Sequence, residues 1–270
     1  MPELPEVETI ARGLAKRVVG DVIESVWLGS KPEPLKSPAA EIAATLQSKK
    51  ILNVRRVGKH IVLDLEPARD SGSAAQWIVH LGMTGSLQVC ASATEMEKHT
   101  HAVVRLASGR ELRFVDARRF GRLSVIEKFQ AAGAEPLEIN LPDFSTLFHG
   151  RKTPIKSALL NQKLLSGVGN IYADEALFRA CIRPRRRASS LTRDELLRLR
   201  TALKKVLREA IRLGGSSISD YVGADGEEGF FQLKHRVYGR AGKPCLVCKT
   251  PIKRIVIAGR SSHYCQRCQK

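Results

Sequence analysis

Apolar and polar positions follow two different periods along the chain. From Leu4 to Gly20 the period is helical, and one apolar stripe comprises Val7, Ile10, Ala11, Leu14 and Val18. After this helix, short alternating segments bounded by turn residues predict strands in an antiparallel sandwich or barrel. They are Val22–Leu28, Ile51–Val57, His60–Leu65, Gln76–Leu81, Ser86–Val89, His101–Leu106, Glu111–Val115 and Leu123–Ile126, with a short helix at Ala39–Gln47.

The second half of the chain is helical, which predicts an α+β fold. Helices are expected at Pro154–Leu165, Ile171–Ala180 and Thr192–Leu213, and the last begins with a capping box of Thr192 and Glu195. A long loop follows at 215–232, a length typical of a functional lid or of disorder. We therefore predict a β domain over 1–127, a linker over 128–142, a helical domain over 143–234 and a cysteine-rich domain over 235–270.

Charge indicates the class of partner. The net charge is +18, with +4 in residues 1–126 and +14 in residues 127–270. Such a balance favours a polyanionic partner, nucleic acid before an acidic membrane. No apolar run is long enough to span a bilayer, and the first residues lack the pattern of a signal peptide. We therefore expect the cytosol or nucleoid and no membrane partner.

Cysteine spacing predicts a metal site. Four cysteines form two Cys-x2-Cys pairs separated by sixteen residues: Cys245, Cys248, Cys265 and Cys268. Because disulfides are rare in the cytosol, we predict one closed, structural Zn²⁺ held by four thiolates. A hairpin with strands 255–257 and 262–264 and its tip at 258–261 would join the pairs. Cys90 and Cys181 are predicted to be buried thiols.

Two further features have both a structural and a chemical interpretation. Gly167–Asn170 joins two predicted helices, and it is either a simple turn or a phosphate-binding helix start. Pro2 either begins the first helix or, once Met1 is removed, carries a free secondary amine. An α-amino group has a pKa near 8, so a neutral, nucleophilic fraction exists at pH 7. Such an amine can attack the C1′ of a sugar, and Glu3 beside it could carry protons.

Several stretches together resemble the bacterial formamidopyrimidine-DNA glycosylases. These stretches follow one another in the same order as in that family, and they span the whole chain. They are Pro2–Glu8, His80–Ser86, Asp116–Gly121, Gly167–Glu175 and the cysteine-rich tail to Lys270. The resemblance implies an N-terminal antiparallel β-sandwich flanked by helices, then a helix–two-turn–helix domain with a four-cysteine zinc finger. It also implies a monomer that removes oxidised purines, such as 8-oxoguanine and formamidopyrimidines, from damaged double-stranded DNA. The abasic site would then be cleaved by β,δ-elimination.

The resemblance also assigns roles to residues. It identifies Pro2 as the Schiff-base nucleophile and Glu3 as the proton donor for base release. Lys59 would assist β-elimination and hold a phosphate, and Arg260 would serve δ-elimination and contact a phosphate. The 215–232 loop would be a lid over the extruded base.

Further residues would contact DNA. The resemblance predicts phosphate contacts by His80, Lys156 and Asn170, and DNA contacts by His99 and Arg151. Met83, Arg118 and Phe120 would fill the void that an extruded base leaves. Judged by local sequence alone, Phe120 would be a core residue.

Other classes of protein remain as alternatives. An endonuclease VIII-type enzyme would act on oxidised pyrimidines, although its opening usually departs from Leu4-Pro5-Glu6-Val7. A non-enzymatic zinc protein that binds DNA or RNA would explain the charge and the cysteines but not Pro2-Glu3. A small-molecule tautomerase with an N-terminal proline would give no role to the charge or the zinc.

Overall fold

A computed structural model describes residues 1–67, 74–216 and 229–270. The chain forms two compact units, one of residues 1–130 with 214–229 and the other of residues 131–213 with 230–270. The helical segment and the cysteine-rich segment belong to the same unit. The division at 127, 142 and 234 stays a prediction, and most of the expected lid lies outside the described residues.

In its described residues, the first unit contains two four-stranded antiparallel sheets and two helices. One sheet has the order β1-β6-β7-β5 and the other the order β2-β3-β4-β8. The elements are α1 (Leu4–Val18), β1 (Ile23–Leu28), α2 (Ala39–Leu46), β2 (Ile51–Val57), β3 (His60–Leu65), β4 (Ala75–His80), β5 (Ser86–Ala91), β6 (Thr100–Leu106), β7 (Arg110–Val115) and β8 (Arg122–Ile126).

Both sheets and both helices contribute to one hydrophobic core. The stripe of α1 is buried together with Trp77 of β4 and Phe114 of β7. Burial of apolar surface at about 25 cal/mol per Å² is the main force that stabilises this arrangement. The predicted sandwich of antiparallel strands is therefore confirmed, and α1 is fixed against the core beside the N-terminus.

The second unit contains four helices and a β-hairpin. They are α3 (Leu141–Thr146), α4 (Ile155–Leu160), α5 (Asn170–Arg179), α6 (Arg193–Arg212), β9 (Lys253–Ile257) and β10 (Arg260–Tyr264), with 3₁₀ turns at Ala188–Ser190 and Phe231–Lys234. The predicted capping box forms, since Thr192 Oγ1 accepts from Glu195 N and Glu195 Oε2 accepts from Thr192 N. None of the helices in the described ranges is both long and apolar enough to cross a membrane.

Helix lengths differ from the prediction at two places. The helix predicted for Pro154–Leu165 ends at Leu160, where the Gln162 side chain donates to the carbonyls of Leu160 and Val168. A helix not predicted, α3, begins inside the expected linker, and Asn140 caps it by accepting from Asp143 N at 2.8 Å. Side-chain hydrogen bonds set both boundaries, and hydrophobic periodicity does not register them.

Two smaller predictions are wrong. The hairpin tip is only the two residues Ala258 and Gly259, with φ of 47° and 74°, so Arg260 and Ser261 belong to β10. Two successive positive φ angles match the right-handed twist of the strands. Cys181, which follows the C-cap residue Ala180 of α5 in a left-handed conformation (φ 59°), is exposed, and Cys90 is only partly buried.

Candidate active site and nucleic-acid interface

The N-terminus of the chain is held by the buried carboxylate of Glu6. Glu3 N donates to Glu6 Oε2 at 2.8 Å, and Ser216 N donates to Glu6 Oε1 at 2.8 Å. Pro2 and Glu3 are themselves buried. Glu6 therefore ties the start of α1 to Ser216, which lies at the beginning of the predicted lid segment 215–232. The sequence places Glu6 at a helix start but does not reveal this second partner.

Lys59 lies in the turn between β2 and β3, and an ion pair ties this turn to α1. The turn consists of Gly58, with φ of 62°, and Lys59. Arg56 donates to Glu8 of α1 at 2.7 Å and to Gly58 O at 3.3 Å. One guanidinium thus holds the Lys59 turn against the helix that carries the N-terminus.

His80 is held in one tautomer as a neutral side chain. Burial, with the nearby charges of His60, Lys59 and Arg122, lowers the pKa of His80 to about 4. Its Nδ1 accepts from Gly82 N at 3.1 Å, so the ring proton lies on Nε2. His80 can therefore act at neutral pH as a hydrogen-bond donor to a phosphate oxygen, but not as a cation.

Asp116, which is fully buried, organises two loops. Its Oδ1 accepts from Thr84 Oγ1 at 2.6 Å and from Arg118 N at 3.2 Å, and its Oδ2 accepts from Gly121 N at 2.7 Å. Its backbone nitrogen donates to His99 O. One carboxylate thus fixes the loops that carry Met83, Arg118 and Phe120, and the backbone of the same residue fixes His99.

The two loops approach each other closely because residue 82 is glycine. A Cβ on Gly82, whose φ is 64°, would lie 2.5 Å from Gly121 N. Any other residue would push the loops apart, which would separate the side chains that they carry.

Three exposed side chains project from the loops that Asp116 holds. Met83 is 42% exposed and Phe120 is 47% exposed, so the assignment of Phe120 to the core is wrong. The Arg118 guanidinium lies 4.8 Å from the centre of the Phe120 ring, within cation–π distance. Exposed apolar side chains beside an arginine can fill a gap in a base stack and bind the base left unpaired.

In the second unit, a buried ion pair supports the hairpin. Lys156 Nζ lies 2.6 Å from Asp174 Oδ1 and donates to Ser261 O at 2.6 Å, and both charged side chains are fully buried. Asp174 also accepts from Ser262 Oγ and from His263 N. The ammonium of Lys156 therefore cannot contact a phosphate in this conformation, and it positions β10 instead.

Asn170 and Arg260 lie at the exposed side of this network. Asn170, the first residue of α5, donates to Ser261 Oγ at 3.3 Å. Arg260 is exposed beside Ser261. The α5 N-terminus, an amide and a guanidinium together form a suitable site for a phosphate.

Arg151 also lies in the second unit. Its Nε donates to Leu147 O at 2.6 Å, which orients a side chain that stays exposed.

The four cysteines form a cluster that fits one zinc ion. Their sulfur atoms all lie within 4.8 Å of one another. The Cys248–Cys265 and Cys245–Cys268 sulfur distances are 3.4 and 3.9 Å, and a tetrahedral Zn²⁺ with 2.3 Å bonds requires about 3.8 Å. The donor set therefore supports one structural zinc, as predicted. All four ligand positions are thiolates, so the metal stabilises the finger rather than catalysing a reaction.

Comparison with known proteins agrees with this geometry. Models of three families match: the formamidopyrimidine-DNA glycosylase N-terminal domain at 1–123, its H2TH domain at 133–222, and the zinc finger found in FPG and IleRS at 242–270. The formamidopyrimidine-DNA glycosylase of Solibacter usitatus is 45% identical, and the alignment covers 100% of both chains.

Solved structures are similar over the same length. MutM (Fpg) from Thermus thermophilus has a TM-score of 0.86 and 42% identity, covering 99% of this chain and 98% of that one. Wild-type Lactococcus lactis Fpg in complex with DNA that contains N7-benzyl-Fapy-dG has a TM-score of 0.89 and 32% identity, with 100% of both chains covered. The chain belongs to the formamidopyrimidine-DNA glycosylase family.

Proposed function

We propose that the protein excises oxidised purines from double-stranded DNA and then cleaves the resulting abasic site. The observation that carries this proposal is the exposed set of Met83, Phe120 and Arg118 on loops held by Asp116. A protein that only binds DNA has no need of a device that fills a vacated base position. The solved relative with N7-benzyl-Fapy-dG in its DNA supports the class of lesion.

The reaction begins at Pro2 after removal of Met1. The neutral nitrogen attacks C1′, the bond from C1′ to the base breaks, and Glu3 supplies a proton that accompanies base release. The C1′–O4′ bond then breaks as O4′ takes up a proton, so the sugar ring opens and C1′ forms an iminium with the Pro2 nitrogen. The iminium acidifies the C2′ proton, whose removal expels the 3′ phosphate. A second elimination, assisted by Arg260, expels the 5′ phosphate, so a one-nucleotide gap remains.

Phosphate contacts hold the substrate during these steps. Lys59, Arg260, Asn170 and neutral His80 bind backbone oxygens, while His99 and Arg151 extend the DNA contact. Such contacts carry no base information, so binding is sensitive to salt and insensitive to sequence. The protein acts as a monomer on nucleoid DNA in the cytosol.

Borohydride trapping tests this function. Wild type, Pro2→Gly and Glu3→Gln are each reduced in the presence of duplexes with 8-oxoguanine, a formamidopyrimidine, an oxidised pyrimidine or no lesion. Wild type should be trapped on the two oxidised purines, and Pro2→Gly should be trapped far more weakly, because a primary amine replaces the ring nitrogen of proline. Glu3→Gln should bind the duplex but release the base at least about a hundredfold more slowly, as expected for loss of a general acid.

The rival functions predict different results. A zinc-containing regulator would bind the duplexes but would never be trapped. An endonuclease VIII-type enzyme would favour the oxidised pyrimidine. A tautomerase would not bind DNA at moderate salt.

A further inference from the structure

A basic groove of about 920 Å³ runs along helix α6 and takes no part in the site described above. The sequence of the helix places Arg200, Lys204, Arg208 and Arg212 at every fourth position. Residues four apart lie on one face, so these cations form a continuous ridge, rising about 6 Å per step. Arg179, Lys205 and Arg236 also line the groove.

The ridge is poorly neutralised within the protein. Among the described residues that line the groove, the one carboxylate is Glu209, which forms an ion pair with Arg179 at 2.6 Å. In the same described ranges, neither Arg208 nor Arg212 forms an ion pair. Partial burial and the neighbouring charges of Arg200 and Arg208 lower the pKa of Lys204, and the nearby carboxylate of Glu138 offsets this only in part. Like charges are therefore crowded along the groove, and the carboxylates of Glu209 and Glu138 do not balance its seven cations.

An ordinary solvated helix face does not have this pattern. Exposed helices usually interleave acidic and basic residues four apart, which is favourable, whereas like charges at that spacing repel each other. In α6 the remaining acidic residues, Asp194 and Glu195, lie in the first turn. Beyond the first turn, and apart from Glu209, the charged residues of α6 are all basic, which indicates that an external polyanion balances the charge.

The groove is separate from the phosphate site at the hairpin. Asn170, which contacts Ser261, begins α5, whereas Arg179, which contributes to the groove, ends it. The two residues are nine positions apart in the helix, or about 14 Å. A DNA phosphate bound beside Asn170 would therefore not occupy the cations of α6. These cations would remain available to other phosphates.

We propose that the α6 groove binds the phosphodiester backbone of double-stranded DNA away from the lesion. The extended line of cations matches a regular chain of phosphates better than a single compact anion. The phosphates can come from a flanking part of the damaged duplex or from a second duplex segment. The proposal rests on the proposed function only in that the protein works on DNA.

The experiment compares two variants that each remove three positive charges. The groove variant is Lys204→Gln, Arg208→Gln and Arg212→Gln, which leaves Arg200 to bond with Ile139 O. The matched control is Lys31→Gln, Lys36→Gln and Lys50→Gln, all exposed residues of the first unit. Affinity for undamaged duplex is measured as a function of salt concentration, on short and long duplexes.

If the groove binds phosphates, the DNA affinity of the groove variant should depend less on salt concentration than that of wild type. The slope of log affinity against log salt should become shallower by about two to three in the groove variant, at about 0.9 for each lost phosphate contact. The control should change by less than about one. Equal slopes in the two variants would overturn the proposal, because net charge alone would then explain the effect.

Two further arms identify the source of the phosphates. If they flank the lesion, wild type gains affinity when the duplex is lengthened, and the groove variant does not. If they belong to a second segment, unlabelled duplex accelerates the dissociation of labelled duplex from wild type, and not from the groove variant. The proposal is contradicted if neither effect occurs in wild type or if the groove variant retains both.

The affinity measurements on undamaged duplex do not depend on whether the protein excises damaged bases. Single-turnover excision by the groove variant at saturating lesion duplex should stay within about twofold of wild type, which also shows that the variant is folded. Failure of wild type to excise any lesion would overturn the proposed function. The binding results on undamaged DNA would still decide the role of the groove.

Discussion

Single buried carboxylates arrange the exposed residues of both units. Asp116 fixes two loops in the first unit, and Asp174 links Lys156 to the hairpin in the second. The sequence indicated the exposed residues through their motifs, but not these carboxylates as organisers. Asp174 and His263 lie 89 residues apart, and only the folded chain brings them together. The family resemblance predicted that Lys156 contacts a phosphate. In the folded chain this side chain is instead buried against Asp174.

The ion pair of Lys156 and Asp174 yields a prediction about stability. Lys156→Met leaves a buried carboxylate without its cation, and Asp174→Asn leaves a buried ammonium without its anion. Each should lower the free energy of unfolding by about 3–5 kcal/mol, whereas the double variant should recover part of the loss. Urea unfolding of all four proteins measures the effect. Additive losses would show that the two charges are not coupled.

His80 yields a prediction about pH. Its folded pKa of about 4 lies below the unfolded value near 6.5, so folding favours the neutral ring. The stability from this group is complete above pH 6.5 and is lost as the pH falls towards 4, by up to about 1.4 kcal/mol per pH unit. His80→Asn keeps an acceptor for Gly82 N but does not titrate. Its unfolding free energy should fall less steeply over this range, and identical slopes would refute the assignment.

At the level of elements, hydrophobic periodicity predicted most of what is observed. The bounds of β2 and β3 agree with the alternation and turn spacing of the sequence. The hairpin tip and the end of α4 were misplaced, since backbone conformation and the Gln162 side chain determine them. The attachment of the zinc finger was also not predictable. Gln269, fully buried, accepts from Cys265 N and donates to Ile182 O, each at 2.8 Å.

This attachment makes a prediction for the zinc finger. Gln269→Ala removes both bonds and leaves two buried backbone groups without partners, which should cost about 2–4 kcal/mol. Bound zinc, measured by mass spectrometry, should stay at one per chain, because the four thiolates are unchanged. Removal of zinc by a chelator should instead abolish the finger and reduce DNA affinity. Loss of zinc from Gln269→Ala would show that the residue serves the metal site rather than the attachment.

At the scale of the whole molecule, the excess of positive charge and the proposed catalytic residue lie in different parts of the sequence. The excess of positive charge lies in residues 127–270, whereas the proposed nucleophile lies at the first residues of the chain. Composition alone could predict a nucleic-acid partner, and the motifs could predict the class of enzyme. The spacing of the cations on α6 is visible in the sequence, whereas only the folded chain shows that Arg179 and Arg236 join them and that Glu209 pairs with Arg179.

Peptide mapping of the borohydride-reduced complex tests the role of the Pro2 nitrogen most directly. Wild type is trapped on an 8-oxoguanine duplex, digested, and analysed by mass spectrometry. The deoxyribose adduct should lie on the N-terminal peptide at Pro2, with Met1 absent, and protein that retains Met1 should be inactive. An adduct on Lys59 or another lysine, or full activity with Met1 retained, would contradict the account.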